Sequence, residues 1–489
     1  MSFSEKMRLG ILVSHPIQYY TPLFRRLAQE LDLTVFYAMR QTGQGQAAAG
    51  FGVAFDWDID LLSGYPSHFL ANRSKRPGTD HFRGCDTPEI AQFIRNPQSL
   101  IHPPPLNPNP NPNPQSFILD PSSTLPAQSI TLDPSSSFDA FLVIGWFLQS
   151  HWQAIRACQR HGVPVFVRGD SQLLTPRSRL KQLAKKFLYR WMVRQFNGYL
   201  VVGQRARQYL LHYGAEPQRM FLSPHFVDND WFAAKAAEGR RQKAVSRKQW
   251  NIPEDALCVL FCGKFIAKKR PMDLIAAARL LLQQKAPGST LPKIHLLFVG
   301  SGELGAEMRS ACHVVFDAEG AGSQFPTAQS SDLCPPGSAS RPSPSSFIRS
   351  PSSLEETPSS SSPAASFAGF KNQTELPACY AAADLLVLPS VSETWGLSVN
   401  EGMACGLPAI VSDAVGCAPD LIEPGVTGET YPCGDVAALA EAIVRFAPRL
   451  GREATTAALQ RKLESYSVEV ATRGIISAVT AAREGRLGR

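Results

Sequence analysis

The stretch from Pro389 to Pro408 constrains this chain more than any other. It follows the apolar run Asp384 to Leu388, which reads as a buried parallel strand, and it leads into a short helix that Gly406 and Pro408 would stop. A strand ending in a loop that opens a helix is where an open α/β sheet binds its ligand, because unpaired helix N–H groups there converge on one spot. An anion fits that spot. The loop and the helix also carry two carboxylates, Glu393 and Glu401. A carboxylate can accept a hydrogen bond from each of two neighbouring hydroxyls, so one could hold a ribose diol and the other a second sugar. The bland alternative is that Glu393 caps the helix and Glu401 is a solvated helical residue.

Glu393, seven intervening residues and Glu401, followed by Gly-Met-Ala-Cys-Gly-Leu-Pro, resemble the E-x7-E signature of retaining glycosyltransferases of family 4, which have the two-domain GT-B fold. The resemblance continues in Phe261-Cys262-Gly263-Lys264-Phe265 with Lys268-Lys269-Arg270-Pro271, in Leu297 to Glu303, and in Phe367 to Phe370 with Glu375-Leu376 and Tyr380. Gly416 to Asp420, Gly425 to Gly428 and Gly434-Asp435 follow in the family's order, so nearly the whole C-terminal half is covered. The resemblance implies that Lys264 and Lys269 meet a donor pyrophosphate, Glu393 the transferred sugar and Glu401 the ribose. Gly263, Gly300, Phe370, Trp395, Gly396 and Leu397 would complete the donor site, with the base near Gly300 and Phe370. The chemistry agrees: a departing nucleoside diphosphate gains charge, and fixed cations with a helix N-terminus stabilise it most in the transition state. No metal and no separate cofactor are then required. Lys268 and Arg270 read as the solvated start of a helix.

A chain of 489 residues is too long for one core. The expected architecture is α/β: two Rossmann-like doubly wound domains facing each other across a cleft, with two disordered insertions. An acceptor-side domain is expected over 1–232, a hinge over 233–246, a nucleotide-sugar domain over 247–470, and a helix and tail over 471–489 that packs back on the first domain. The insertions, 96–137 and 318–366, are rich in Pro, Ser and Asn and cannot bury enough surface to offset the entropy of ordering.

Leu9 to Val13 reads as a strand, Pro22 to Leu31 as an amphipathic helix and Leu33 to Tyr37 as the next strand. Where many family members have a glycine-rich turn, this chain has Ser14-His15-Pro16-Ile17-Gln18-Tyr19-Tyr20. A bulky polar loop at a strand's C-terminal end projects into the cleft, making His15, Gln18 and Tyr19 candidates for holding acceptor or donor sugar. Phe138 to Ile144 and Val163 to Val167 supply further strands, the second ending in Arg168-Gly169-Asp170. Many family members have a histidine in this neighbourhood; here Arg168 and Asp170 either shape the loop as an ion pair or contact an acceptor hydroxyl. Asp56-Trp57-Asp58 and Asp228-Asn229-Asp230 mimic a metal-binding Asp-x-Asp motif but lie in the half opposite the donor signals, and read as turn or capping residues.

Ten cysteines show no Cys-x-x-Cys pair, and the histidines show no metal-ligand spacing. The longest apolar run, Ala140 to Leu148, falls short of the roughly 20 residues of a membrane span, and no early apolar stretch fits a signal peptide. A cytoplasmic enzyme is the expectation. The formal charge of +8 is uneven: Ser171 to Ala215 holds no acidic residue, and Arg177, Lys181 and Lys185 recur beside an apolar stripe of Leu180, Leu183, Ala184, Phe187, Leu188 and Trp191. The 177–194 helix could dock on anionic lipid at the inner face of a membrane, or simply present a solvated face over a buried stripe. Without a recognisable nucleic-acid module, nucleic acid is not an expected partner.

The function expected is transfer of a sugar from a nucleotide sugar to a carbohydrate or lipid-linked acceptor. The alternatives are a GT-B epimerase or hydrolase acting on the donor alone, and a protein that binds nucleotide sugars without catalysis.

Overall fold

The computed structural model describes residues 6–47, 52–97, 137–173, 179–241, 243–284, 293–320 and 362–487. Most of both expected insertions therefore lies outside the described residues. The first half forms β1 (Arg8–Val13), β2 (Asp32–Tyr37), β3 (Ser67–Phe69), β4 (Ala140–Ile144), β5 (Val165–Gly169), β6 (Gly198–Val201) and β7 (Met220–Leu222), in the order β3-β2-β1-β4-β5-β6-β7. The second half forms β8 (Ala256–Cys262), β9 (Lys293–Val299), β10 (His313–Asp317), β11 (Ala364–Gly369), β12 (Leu385–Leu388), β13 (Ala409–Ser412) and β14 (Gly428–Tyr431), in the order β10-β11-β9-β8-β12-β13-β14. Among the described residues the strands pair in parallel throughout both sheets.

Central parallel strands with helices on both faces are buried on both sides, which is why β8 and, after Arg8, β1 read as apolar runs. The period of two still shows in the packing. Leu257, Val259 and Phe261 of β8 enter one buried cluster, while Cys258 and Leu260 enter the cluster on the opposite face. The helix Thr21–Glu30 buries Leu23, Phe24 and Leu27 against β1 and leaves Arg25, Arg26 and Gln29 outside.

Each sheet reverses its winding once, between β1 and β4 and between β8 and β12. The loops leaving the strands at such a reversal splay apart and open a crevice. The loop after β1 carries Tyr19, the loop after β8 carries Lys264 and Lys269, and the loop after β12 carries Glu393.

The stretch 233–246, read from its charge as a polar hinge, is helical apart from position 242, which is not described. It falls in the helices Asn229–Arg241 and Lys243–Gln249. Alanine, lysine and arginine favour the helix, and Phe232 and Ala236 anchor it in the second half's core beside Tyr380 and Met403. The last helix, Val468–Arg483, returns to the first half, where Ala471, Ile475, Ala478 and Val479 are buried with Ile11, Leu23 and Phe24. Gly474 makes that approach possible, since a Cβ there would lie 1.8 Å from the Leu222 carbonyl oxygen.

Candidate functional site

The chain leaving β8 turns at Gly263, whose N–H donates to Val299 O at 2.9 Å. Gly300, at the end of β9, has φ +136°, and a Cβ on it would come 2.0 Å from Gly263 O; only glycine lets these two strand ends lie so close. Lys264 and then the turn Ala267–Lys269 follow, and Arg270 is tied to Asp273 by bonds of 2.7 and 3.0 Å. Arg270 therefore fastens the start of the next helix.

The loop after β12 is fastened to the loop after β8 by Val391 N–H donating to Lys268 O at 3.0 Å. It is fastened again to the segment after β13, where Gly416 N–H donates to Glu393 O and Cys417 N–H to Trp395 O, both at 2.9 Å. The helix Leu397–Ala404 then begins after Gly396 and carries Glu401 just over one turn in. These bonds hold the cations and the carboxylates on a stiff frame.

Around this frame lies a cavity of about 300 Å3. From the second half it is lined by Gly263, Lys264, Lys269, Gly300, Phe370, Glu393, Trp395, Gly396, Leu397 and Glu401. From the first half it is lined by Gln18, Tyr19 and Asp170. The Lys269 ammonium and the Glu393 carboxylate form a direct ion pair in its wall. Lys264 is half-buried, and burial followed by the neighbouring charges of Lys269 and Lys268 lowers its pKa. An anion beside these cations would relieve that repulsion.

Glu401 is 2% exposed. Its Oε2 accepts from the Tyr380 hydroxyl at 2.5 Å and its Oε1 from the Tyr19 hydroxyl at 2.9 Å. Burial pushes its pKa up to about 7, against the lowering by the Tyr380 and Tyr19 bonds. Tyr19 comes from the other half of the chain, so this carboxylate ties the halves together. Each oxygen keeps a further lone pair for a ligand hydroxyl.

Two candidates from the sequence do not line the cavity. Arg168 is 1% exposed and turned into the first half's fold. Its guanidinium donates to Ser223 O and Oγ at 3.3 Å, to Pro224 O at 2.7 Å and to the Tyr20 hydroxyl at 3.3 Å. It fixes the exit of β7 instead of meeting Asp170, whose carboxylate lies 3.9 Å from His225 Nε2. His15 bonds its own neighbour, with Ser14 Oγ 2.9 Å from its Nδ1, and burial lowers its pKa to about 4. The Pro16 turn carries Gln18 and Tyr19, not His15, to the cleft.

The sequence reading missed other lining residues, among them His225, Trp57 and Gln373. The ring of His225 lies 5.2 Å from that of Trp395. Trp57 was read as part of a turn. Asp228 is a capping residue, its Oδ1 accepting from Trp231 N–H at 3.0 Å. Asp58 instead crosses to the second half, accepting from Thr374 N–H at 3.1 Å. Among the described residues no group of three or more His, Cys, Asp or Glu side chains is placed to hold a metal ion.

Residues 362–447, which include Glu393 and Glu401, match the family model for Glycosyl transferases group 1. Two relatives are D-inositol 3-phosphate glycosyltransferases: that of Geodermatophilus obscurus is 29% identical over 57% of this chain and 51% of its own, and that of Catenulispora acidiphila is 30% identical over 49% and 46%. The chain spans about half the length of these relatives. Among solved structures, a glycosyltransferase from Rickettsia africae superposes with a TM-score of 0.59 at 11% identity, over 98% of both chains. Anabaena HepE in complex with UDP and glucose gives 0.54 at 13% identity, over 97% of this chain and 100% of that one. The chain has the GT-B fold. In GT-B terms, the cavity lies in the cleft between the two Rossmann-like domains, with the described lysines and glutamates on the C-terminal one.

Proposed function

We propose that the chain is a retaining, metal-independent glycosyltransferase that moves a sugar from a nucleotide sugar to a carbohydrate or lipid-linked acceptor. The observation that carries this reading is the meeting of Lys264, Lys269, Glu393 and Glu401 around one interdomain cavity. As the bond from sugar C1 to the diphosphate breaks, the negative charge grows beside Lys264, Lys269 and the start of the Leu397–Ala404 helix, which supply the charge a metal would otherwise bring. Glu393 orients the sugar and Glu401 accepts from the ribose. The acceptor hydroxyl oxygen then bonds to C1 as its proton passes to the departing diphosphate oxygen, with the donor's configuration kept. Gln18, Tyr19 and Asp170 face that acceptor from the N-terminal domain.

The test starts with a thermal-shift panel of nucleotide sugars, because a ligand bound only by the folded state stabilises it. The donor found is then incubated with acceptors, D-inositol 3-phosphate among them since the relatives carry that name. A product whose anomeric configuration matches the donor's, formed in excess EDTA, is the expected result. Donor consumption without acceptor would favour a hydrolase or epimerase, and binding without turnover a non-catalytic protein.

The location proposed is a reducing cytoplasm, at the surface of an anionic membrane. The described cysteines are all free, and among the described residues no helix is long and apolar enough to cross a membrane. The helix Arg179–Val193 supports the surface contact: Phe187 is 70%, Leu188 53% and Trp191 52% exposed, with Lys186, Arg190 and Arg194 exposed beside them. Apolar side chains flanked by cations and no acidic residue suit anionic headgroups. Lys185 does not take part, because its ammonium lies over the rings of Tyr189, Tyr209 and Tyr213 at 4.5, 5.3 and 5.6 Å. Changing Lys186, Arg190 and Arg194 to Gln should weaken co-sedimentation with phosphatidylserine vesicles. Wild-type protein that ignores such vesicles at low salt sinks the idea.

A further inference from the structure

At one end of the cavity, the N-terminal domain reaches across to the C-terminal domain through Phe55 to Asp58. Phe55 packs on Phe370 with ring centroids 4.4 Å apart, and Trp57 meets Phe55 edge-on at 5.0 Å and 90°. Asn372 Nδ2 donates to Asp56 O at 2.7 Å. Thr374 gives both its N–H, at 3.1 Å, and its hydroxyl to Asp58 Oδ2. Trp57 and Phe370 both line the cavity, together with Gly300 and Gln373. Gln373 is 6% exposed, and its Oε1 is buried with no hydrogen-bond partner among the described residues.

We propose that this strap is the second wall of the nucleobase site: the base stacks on Trp57, and Gln373 accepts a hydrogen bond from its edge. The inference rests on the donor reading above and deepens it. An aromatic ring lining the same cavity as a buried acceptor that lacks a partner suits a flat heterocycle with an N–H on its rim, whereas a phosphate would use neither. The polar ties of the strap are solvent-exposed and few, so it can lift for the ligand and close again. Base recognition thereby depends on the domain that also faces the acceptor, and binding of a nucleotide favours the closed arrangement of the two domains.

Binding of UDP, GDP and ADP to the full chain is measured by calorimetry, with inorganic pyrophosphate as the base-free probe. Trp57→Ala should weaken the tightest-binding nucleotide roughly tenfold, the scale of base stacking on an aromatic side chain. Trp57→Phe should restore most of that loss, and Gln373→Ala should narrow the preference among the three bases. Pyrophosphate affinity should stay unchanged in all variants. Nucleotide affinity unaltered in Trp57→Ala overturns the inference while leaving the donor reading intact. An equal loss for pyrophosphate also overturns it, because the strap would then act on closure without touching the base. Wild-type protein that binds none of the three nucleotides removes the donor reading, and this inference with it.

Discussion

The N-terminal and C-terminal sheets each hold seven parallel strands among the described residues and each reverse once, yet they send different side chains into the cleft. The C-terminal domain supplies Lys264, Lys269, Glu393 and Glu401, on loops bonded to one another by Val391–Lys268 and Gly416–Glu393 backbone contacts. The N-terminal domain supplies Gln18, Tyr19, Trp57, Asp170 and His225, of which Asp170 alone is a carboxylate. Several of its ties run to the other domain: Tyr19 to Glu401, Gln172 Nε2 to Glu393 O at 2.9 Å, and Gln204 N–H to Asp420 Oδ1 at 3.0 Å. The C-terminal domain holds its charged groups on a frame of its own. The other adds shape and mostly neutral hydrogen-bonding groups only where the two meet.

That division can be broken most sharply at its charged end. Lys269→Ala and Glu393→Ala should each lower turnover about ten- to a hundredfold, the scale of one lost charge-assisted contact in the transition state. Because the two side chains pair with each other, the double variant should cost less than the sum of the singles. Steady-state kinetics on the identified donor checks this. Should Gln18→Ala cost as much as Lys269→Ala, the division of labour between the domains fails.

Arg168 tests the N-terminal domain as scaffold. Arg168→Ala leaves Ser223 O and Pro224 O without their buried donor, and should cost roughly 2–3 kcal/mol of stability in urea unfolding. Its effect on nucleotide affinity should be slight, since the guanidinium faces away from the cavity.

Glu401 gives a smaller effect with a definite sign. Its folded pKa is raised from 4.5 to about 7 by burial. A group raised in this way contributes stability that is complete below its unfolded pKa and fades as pH rises through about 7. Glu401→Gln should therefore remove part of the fall in unfolding free energy between about pH 5 and pH 8. Ribose binding through the carboxylate should strengthen over the same window. Tyr19→Phe deletes a bond that lowers this pKa, so the midpoint of the binding profile should move upward. A downward move would place the tyrosine's influence elsewhere.

Much of the C-terminal domain could be read from the sequence because its chemistry is local. Gly263 and Lys264, or Glu393 and Glu401, lie within one strand–loop–helix unit, so spacing alone brings them to one strand end. The N-terminal contributions are long-range. Trp57 reaches the cavity because Phe55 packs on Phe370, more than 300 residues away in sequence, as do the partners of the 316-residue separation joining Asp56 to Asn372. His225 depends on how β7 ends beside Trp395. For Arg168, position at a strand end left loop shaping and ligand contact both open, and only the fold shows its side chain bonded to the Ser223 and Pro224 carbonyls. The helices over the polar stretch 233–246 were not legible from its composition, because the first is anchored by Phe232 and Ala236 at one face.

The smallest expected effect belongs to His15, and it sharpens the comparison where sequence position is least informative. His15 shares its loop with Gln18 and Tyr19, yet those two line the cavity and His15 bonds Ser14. His15→Ala should change nucleotide affinity and turnover less than twofold, within the roughly 0.5 kcal/mol of a substitution away from a site. Gln18→Ala, with a side chain 8% exposed and facing the cleft, should change acceptor KM or donor affinity by more than that. The paired measurement separates loop shape from side-chain contact, because both variants disturb the same turn. If His15→Ala matches or exceeds Gln18→Ala, the whole loop acts through its backbone conformation, and the N-terminal domain contributes rigid shape to the cleft instead of individual polar groups.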